Sequence, residues 1–137
     1  MNKAYLLDTS AIFAYMEDEA GAQIVENILN GARHGKNKIL ISFITLTEIY
    51  YIVWQEKGED FAREAVVLLK SLPVEFVESS ERLNLSAGRI KANHKLSLAD
   101  AFVAAAALDR SATLVHKDPE FEALAGFITL MALPYKA

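Results

Sequence analysis

The chain has no cysteine among its 137 residues, which removes disulfides, zinc–thiolate sites and thiol catalysis together. That absence fits a reducing compartment, and a cytoplasmic location is the expectation. Proline is scarce: the three residues are Pro73, Pro119 and Pro134, read here as marking a helix end, a helix start and the tail. No uncharged apolar run approaches the roughly 18 residues of a membrane span. The N-terminal apolar run follows a single Lys3 and is cut short by Asp8, which is not the pattern of a signal peptide. Positive charge is not in excess either. A formal net charge of −4 gives no global attraction for nucleic acid, so a phosphate substrate would need local basic patches or metal ions.

What is present is apolar. A hydrophobic share of 53% with mean hydropathy +0.17 predicts a well-cored globular protein rather than a disordered one. The length fits one domain, 1–137, and domains near 150 residues bury roughly 68–70% of their unfolded surface.

In chain order, Ala4–Leu7 reads as a short buried strand that ends at Asp8 and turns into one or two helical turns over Ala11–Tyr15. Ala22, Ile24, Val25, Ile28 and Leu29 have helical spacing within Glu19–Arg33, and a basic loop, Arg33 to Lys38, follows. Ile39–Ile41 predicts a buried strand and Phe43–Trp54 an apolar helix, with Thr45-Leu46-Thr47-Glu48 in the pattern of a capping box. Glu59–Leu72 is amphipathic, Val74–Val77 alternates like a strand, and Ser80–Lys95 is a more polar helix closing on Arg89, Lys91, His94 and Lys95. Those cations suit a helix C-terminus and equally suit phosphates. Leu96–Leu108 is apolar nearly all round, the pattern of a buried helix, and its Ser97-Leu98-Ala99-Asp100 fits a second capping box. Ala112–Val115 predicts a strand, Asp118-Pro119 a helix start, and Ile128–Met131 a last strand. Strands alternating with helices predict one α/β domain on a mostly parallel sheet.

Three acids stand out by isolation. Asp8 is the only charge between Ala4 and Met16, Glu48 the only one between Ile39 and Gln55, and Asp100 the only one between Leu96 and Leu108. Each has a structural explanation as a helix cap. Each also has a functional one, because open α/β sheets place their sites at the carboxyl ends of strands. In a parallel sheet every strand-to-helix turn lies on one edge, so Asp8, Glu48, Asp100 and, in more charged surroundings, Asp118 would be carried to one place. Like charges gathered there would force proton uptake unless cations intervened. An all-oxygen ligand set suits Mg²⁺ or Mn²⁺ rather than zinc or copper, and such ions serve phosphodiester displacement by activating water.

Leu6-Leu7-Asp8-Thr9-Ser10-Ala11, Thr45-Leu46-Thr47-Glu48, Leu96-Ser97-Leu98-Ala99-Asp100-Ala101 and Ala112-Thr113-Leu114-Val115-His116-Lys117-Asp118-Pro119-Glu120-Phe121 together resemble the PIN-domain ribonucleases. In length and motif order the chain is similar to the VapC-type toxins of toxin–antitoxin pairs. The resemblance implies a Rossmann-like α/β/α sandwich with about five strands in the order 3-2-1-4-5. It also implies Mg²⁺- or Mn²⁺-dependent endonuclease cleavage of RNA. By position, Asp8, Glu48, Asp100 and Asp118 match the family's metal-binding acids, and Ser10 a polar position that assists them. Where the family usually has Thr or Ser two residues before the last acid, this chain has His116, whose ring could bond a phosphate or a water. The family further implies a cognate VapB-like antitoxin lying along the toxin's helices, and commonly a homodimer. Tyr50, Tyr51, Trp54 and Phe61 are aromatic enough for such a groove, and ordinary core packing would use them too.

Two other readings are compatible with parts of the sequence. A phosphatase could use Asp8 as its nucleophile, as haloacid-dehalogenase-like enzymes do, although Ser10 stands where those usually carry a second Asp. A PIN-like module could bind RNA or protein with a silent site.

Overall fold

The computed structural model describes residues 3–136. Its elements are β1 (Lys3–Leu7), α1 (Thr9–Met16), α2 (Ala22–Arg33), β2 (Asn37–Ser42), α3 (Phe43–Lys57) and α4 (Glu59–Ser71). They continue with β3 (Glu75–Val77), α5 (Glu81–Asn93), α6 (Leu98–Asp109), β4 (Thr113–His116), a 3₁₀ turn over Pro119–Leu124, and β5 (Leu130–Ala132). The five strands form one sheet in the order β3-β2-β1-β4-β5, and every adjacent pair is parallel. This is the Rossmann-like, PIN-like arrangement expected from the sequence.

Alternation along the strands builds the three layers. Leu6, Leu40 and Leu114 point to one face, where they pack with Leu83, Ile90 and the alanines of α6. Leu7, Ile39, Ile41 and Val115 point to the other, against Ile12, Leu29, Ile49 and Leu69 of α1 to α4. Both faces are therefore covered, which is why the strands read as nearly continuous apolar runs. Truncating one of these leucines or isoleucines to alanine costs about 2–5 kcal/mol. In α6, Ala101 and Val103 through Ala107 are all buried, as its sequence predicts.

Several boundaries move. The first helix starts at Thr9, directly after the aspartate that caps it. The second starts only at Ala22, because Gly21 takes a φ of +99° that breaks the helical path from Glu19. The last strand lies at Leu130–Ala132 rather than from Ile128, since Ile128 turns into the core and bonds back to Leu124 through its backbone N–H. The box expected at Thr45–Glu48 does not form. The helix begins at Phe43, as expected, and its cap is Ser42, three residues before Thr45; the Ser42 hydroxyl accepts from Ile44 N at 3.3 Å. Glu48 thus sits in the second turn and is free for another role.

The chain reverses its winding between β1 and β4, which are neighbours in the centre of the sheet. A crevice at the carboxyl ends of such strands is where parallel α/β sheets hold ligands. Asp8 leaves β1 there, and Asp118 follows β4 by two residues. The basic loop of residues 33–38 leads into the first residue of β2 and so lies at the opposite edge.

Candidate active site

Asp8 is 3% exposed. Its backbone N–H still belongs to the sheet, donating to Val115 O at 3.1 Å, and its Oδ1 caps α1 by accepting from Ala11 N at 2.9 Å. Ser10 Oγ donates to both carboxylate oxygens, at 2.7 and 2.9 Å, and accepts from Lys117 N at 2.8 Å. One hydroxyl therefore ties the end of β1 to the end of β4 and fixes the carboxylate between them. Burial pushes the Asp8 carboxyl up to about 7; the Ser10 and Ala11 bonds pull it down, and the charge of Asp118 adds to the rise. Cap and site are the same side chain.

Glu48 is reached from α1. Thr9 Oγ1 donates to Glu48 Oε1 at 2.6 Å and lies 3.3 Å from the hydroxyl of Thr45, which is fully buried. The contact joins α1 to α3 within one layer and was not evident in the sequence, where Thr9 reads only as part of a turn. The signal available was its place next to Asp8 in a hydroxyl-rich turn.

Asp100 opens α6. Ser97 Oγ accepts its backbone N–H at 3.1 Å, half of the expected capping box. The return bond is missing, and the Asp100 carboxylate receives no donor among the described residues. Its carboxyl is pushed up to about 8, first by burial and then by the charges of Asp118, Asp8, Glu120 and Glu48. Every sequence-predicted acid is thus felt at this one position. A fifth, Glu120, joins them.

Asp118 caps the 3₁₀ turn through Oδ1, which accepts from Glu120 N at 3.0 Å, with Pro119 at the first position as predicted. That tight turn brings Glu120 back, so that one oxygen each from Asp100, Asp118 and Glu120 lie within 4.8 Å of one another. Charged neighbours made Asp118 look less special in the sequence. In three dimensions one of those neighbours completes the cluster.

His116 behaves differently from expectation. It is fully buried, stacked near Phe121 at 5.2 Å between ring centroids. Its Nδ1 accepts from Asp118 N at 3.2 Å, leaving Nε2 without a partner among the described residues. Burial lowers its pKa, which favours a neutral ring. Through its bond to Asp118 N it shapes the turn that presents Asp118, and its ring is closed off from solvent. The adjacent Lys117 is also turned away: its ammonium donates to Ala20 O at 2.9 Å and pairs with Glu19 at 3.5 Å.

The residues fit a divalent cation. The donors are all carboxylate oxygens, and the hard ions Mg²⁺ and Mn²⁺ prefer those. Opposite ligands of an octahedral Mg²⁺ are about 4.2 Å apart, close to the spread of the Asp100, Asp118 and Glu120 oxygens. Two carboxyls raised into the neutral range mark negative charge that the protein itself leaves uncompensated.

Of the aromatic residues singled out on α3 and α4, Tyr50 is half-buried against the core and the other three are not core. Tyr51, Trp54 and Phe61 are exposed, and Tyr50 meets Trp54 edge to face at 5.5 Å. Beside them Leu46, Tyr50, Val66 and Val67 line a groove of about 590 Å³. No helix of the described residues is long and apolar enough to cross a membrane.

The VapBC2 complex of Rickettsia felis, bound to a DNA fragment from its promoter, contains a chain that superposes with a TM-score of 0.76 at 21% identity, covering 96% of this chain and 99% of that one. DNA-bound VapBC of Salmonella typhimurium gives 0.75 at 23%, covering 96% and 98%. A Mycobacterium tuberculosis VapC described as a sarcin–ricin loop cleaving toxin gives 0.70 at 20%, covering 90% and 96%. No curated protein matches the chain in sequence. Residues 5–127 match the PIN domain model, and the chain belongs to the PIN domain family.

Proposed function

We propose that this protein is a metal-dependent endoribonuclease, a VapC-like toxin that hydrolyses RNA phosphodiester bonds. The observation behind this reading is the gathering of Asp8, Glu48, Asp100, Asp118 and Glu120 at the β1/β4 crevice, with Asp8 and Asp100 held near neutrality by burial and by one another. In our assignment Asp8, Asp100 and Asp118, with Glu120 beside them, hold Mg²⁺ or Mn²⁺. The ion would offset charge on the scissile phosphate and lower the pKa of water next to it. Ser10 positions Asp8, and Thr9 positions Glu48. Glu48 Oε2, without a donor among the described residues, would accept a hydrogen bond from the incoming water.

The test is to sequence RNA ends after expression of the unmodified chain beside Asp8→Asn. New ends made only by the unmodified chain support the reading, and identical ends from both overturn it. Titration calorimetry with Mn²⁺ checks the cofactor separately: heat of binding that Asp100→Asn abolishes is expected. For a partner we propose a VapB-like antitoxin, because the matched chains come from VapBC complexes and the α3/α4 groove is apolar and open. RNA as substrate suits action in the cytoplasm. A homodimer and a single domain over the whole chain belong to the same proposal.

A further inference from the structure

Just ahead of α6 in the chain, the end of α5 and the following turn bear Arg89, Lys91, His94 and Lys95. Arg89, Lys91 and Lys95 are exposed, and none of the ion pairs among the described residues uses them. Some other cations do pair, among them Arg63 with Glu59, Arg82 with Asp109 and Arg110 with Glu75. Phe127, 47% exposed, sets its ring 6.0 Å from that of His94. Phe127 also walls a groove of about 370 Å³ together with Leu85, Arg89 and Leu108. Lys95 is five residues before Asp100, so even an extended chain keeps their Cα atoms within about 17 Å. That is about two to three nucleotides of single strand.

We propose that this groove is the track along which a single RNA strand leaves the acid cluster, with Arg89 and Lys95 on backbone phosphates and a base stacked on Phe127 beside His94. Free cations alternating with an exposed aromatic are what sequence-tolerant single-strand binding uses. The cations also answer the electrostatic difficulty of an acidic chain, since the length of the connecting chain keeps Lys95 within reach of the acids that would repel the strand. The assignment rests on the reading of the cluster as an RNA-cleaving site and adds where the substrate runs. Lys91 supplies an internal control. It is two residues from Arg89, about 200° around the helix, and the buried side chains Ala87 and Ile90 lie between the two flanks.

The experiment measures anisotropy of a labelled single-stranded RNA of about 12 nucleotides over a salt series, with Mg²⁺ present and Asp8→Asn in every chain so that the strand survives. Each phosphate contact removed lowers the slope of log affinity against log salt by about 0.7. Arg89→Ala and Lys95→Ala are each expected to show that loss, and Lys91→Ala no change. Phe127→Leu is expected to weaken binding about fivefold or more at unchanged slope. Equal loss from Lys91→Ala, or no loss from Arg89→Ala and Lys95→Ala, overturns the track. In cleavage assays with Asp8 intact, Arg89→Ala with Lys95→Ala raises KM and leaves kcat unchanged. A chain that shows the slope losses yet cuts no RNA refutes the nuclease reading and leaves the binding track standing.

Discussion

The acid site has two halves built on opposite principles. On the β1/α1 side, Asp8 and Glu48 are each gripped by a hydroxyl, Ser10 and Thr9 respectively. Asp8 also takes a backbone N–H. On the α6 side, Asp100 has no donor among the described residues, and Asp118 spends one oxygen on its own turn. The first half is a fixed wall. The second is a set of carboxylates brought together against their mutual repulsion and left for something else to neutralise. A site that must take up a cation and phosphates needs both: rigid ligands to define the geometry, and open ones to supply the attraction.

The largest effect that could break this contrast is on chemistry. Asp8→Asn and Asp100→Asn should both lower RNA cleavage by at least about 100-fold, beyond the usual cost of disturbing groups behind the metal ligands. Comparable activity in either variant would remove that residue from the site. Their stabilities should then diverge from those of the wall's supports. Ser10→Ala strands a nearly buried carboxylate and the Lys117 N–H, and should cost about 1–3 kcal/mol in denaturant unfolding. Asp100→Asn removes a repelled charge and should raise the metal-free melting temperature at pH 8.

The pH dependence sharpens the same point. Asp8 and Asp100 hold their protons up to about 7 and about 8 when folded, against about 3.9 in an unfolded chain. The folded state binds more protons between those limits, so metal-free stability falls as pH rises from about 4 to 8. Thermal melts in EDTA should show that decline. Mg²⁺ should flatten it by stabilising the ionised carboxylates, and a metal-independent slope would mean no cation binds there. The smallest effects belong to Thr9→Val, which keeps the shape and drops the bond to Glu48. Turnover should fall by roughly 3- to 10-fold with about 1 kcal/mol or less lost in stability.

Much of this was legible along the chain. Isolation of a charge within an apolar segment identified Asp8, Glu48 and Asp100, because a buried charge without a purpose is too costly to keep. Glu120 escaped for the converse reason: in a run with Lys117, Asp118 and Glu122 it looks like ordinary solvated surface. Only the 3₁₀ turn after Pro119 brings its carboxylate back to Asp100 and Asp118. The role of His116 stayed open for the same reason. Its position beside the acids allowed contact with substrate or ordinary packing, and period-two alternation in β4 sends it inward onto Phe121.

The sequence by itself determined the layered fold, since five apolar strands separated by amphipathic helices can bury both faces only as a parallel sandwich. It also determined that acids terminate those strands and helices. Tertiary structure alone decided which hydroxyl holds which carboxylate and that Thr9 reaches across to α3. It decided too that the cations at the end of α5 stay out of ion pairs among the described residues. Such relations join residues far apart in the chain, and local spacing carries no information about which turn of one helix meets which turn of another.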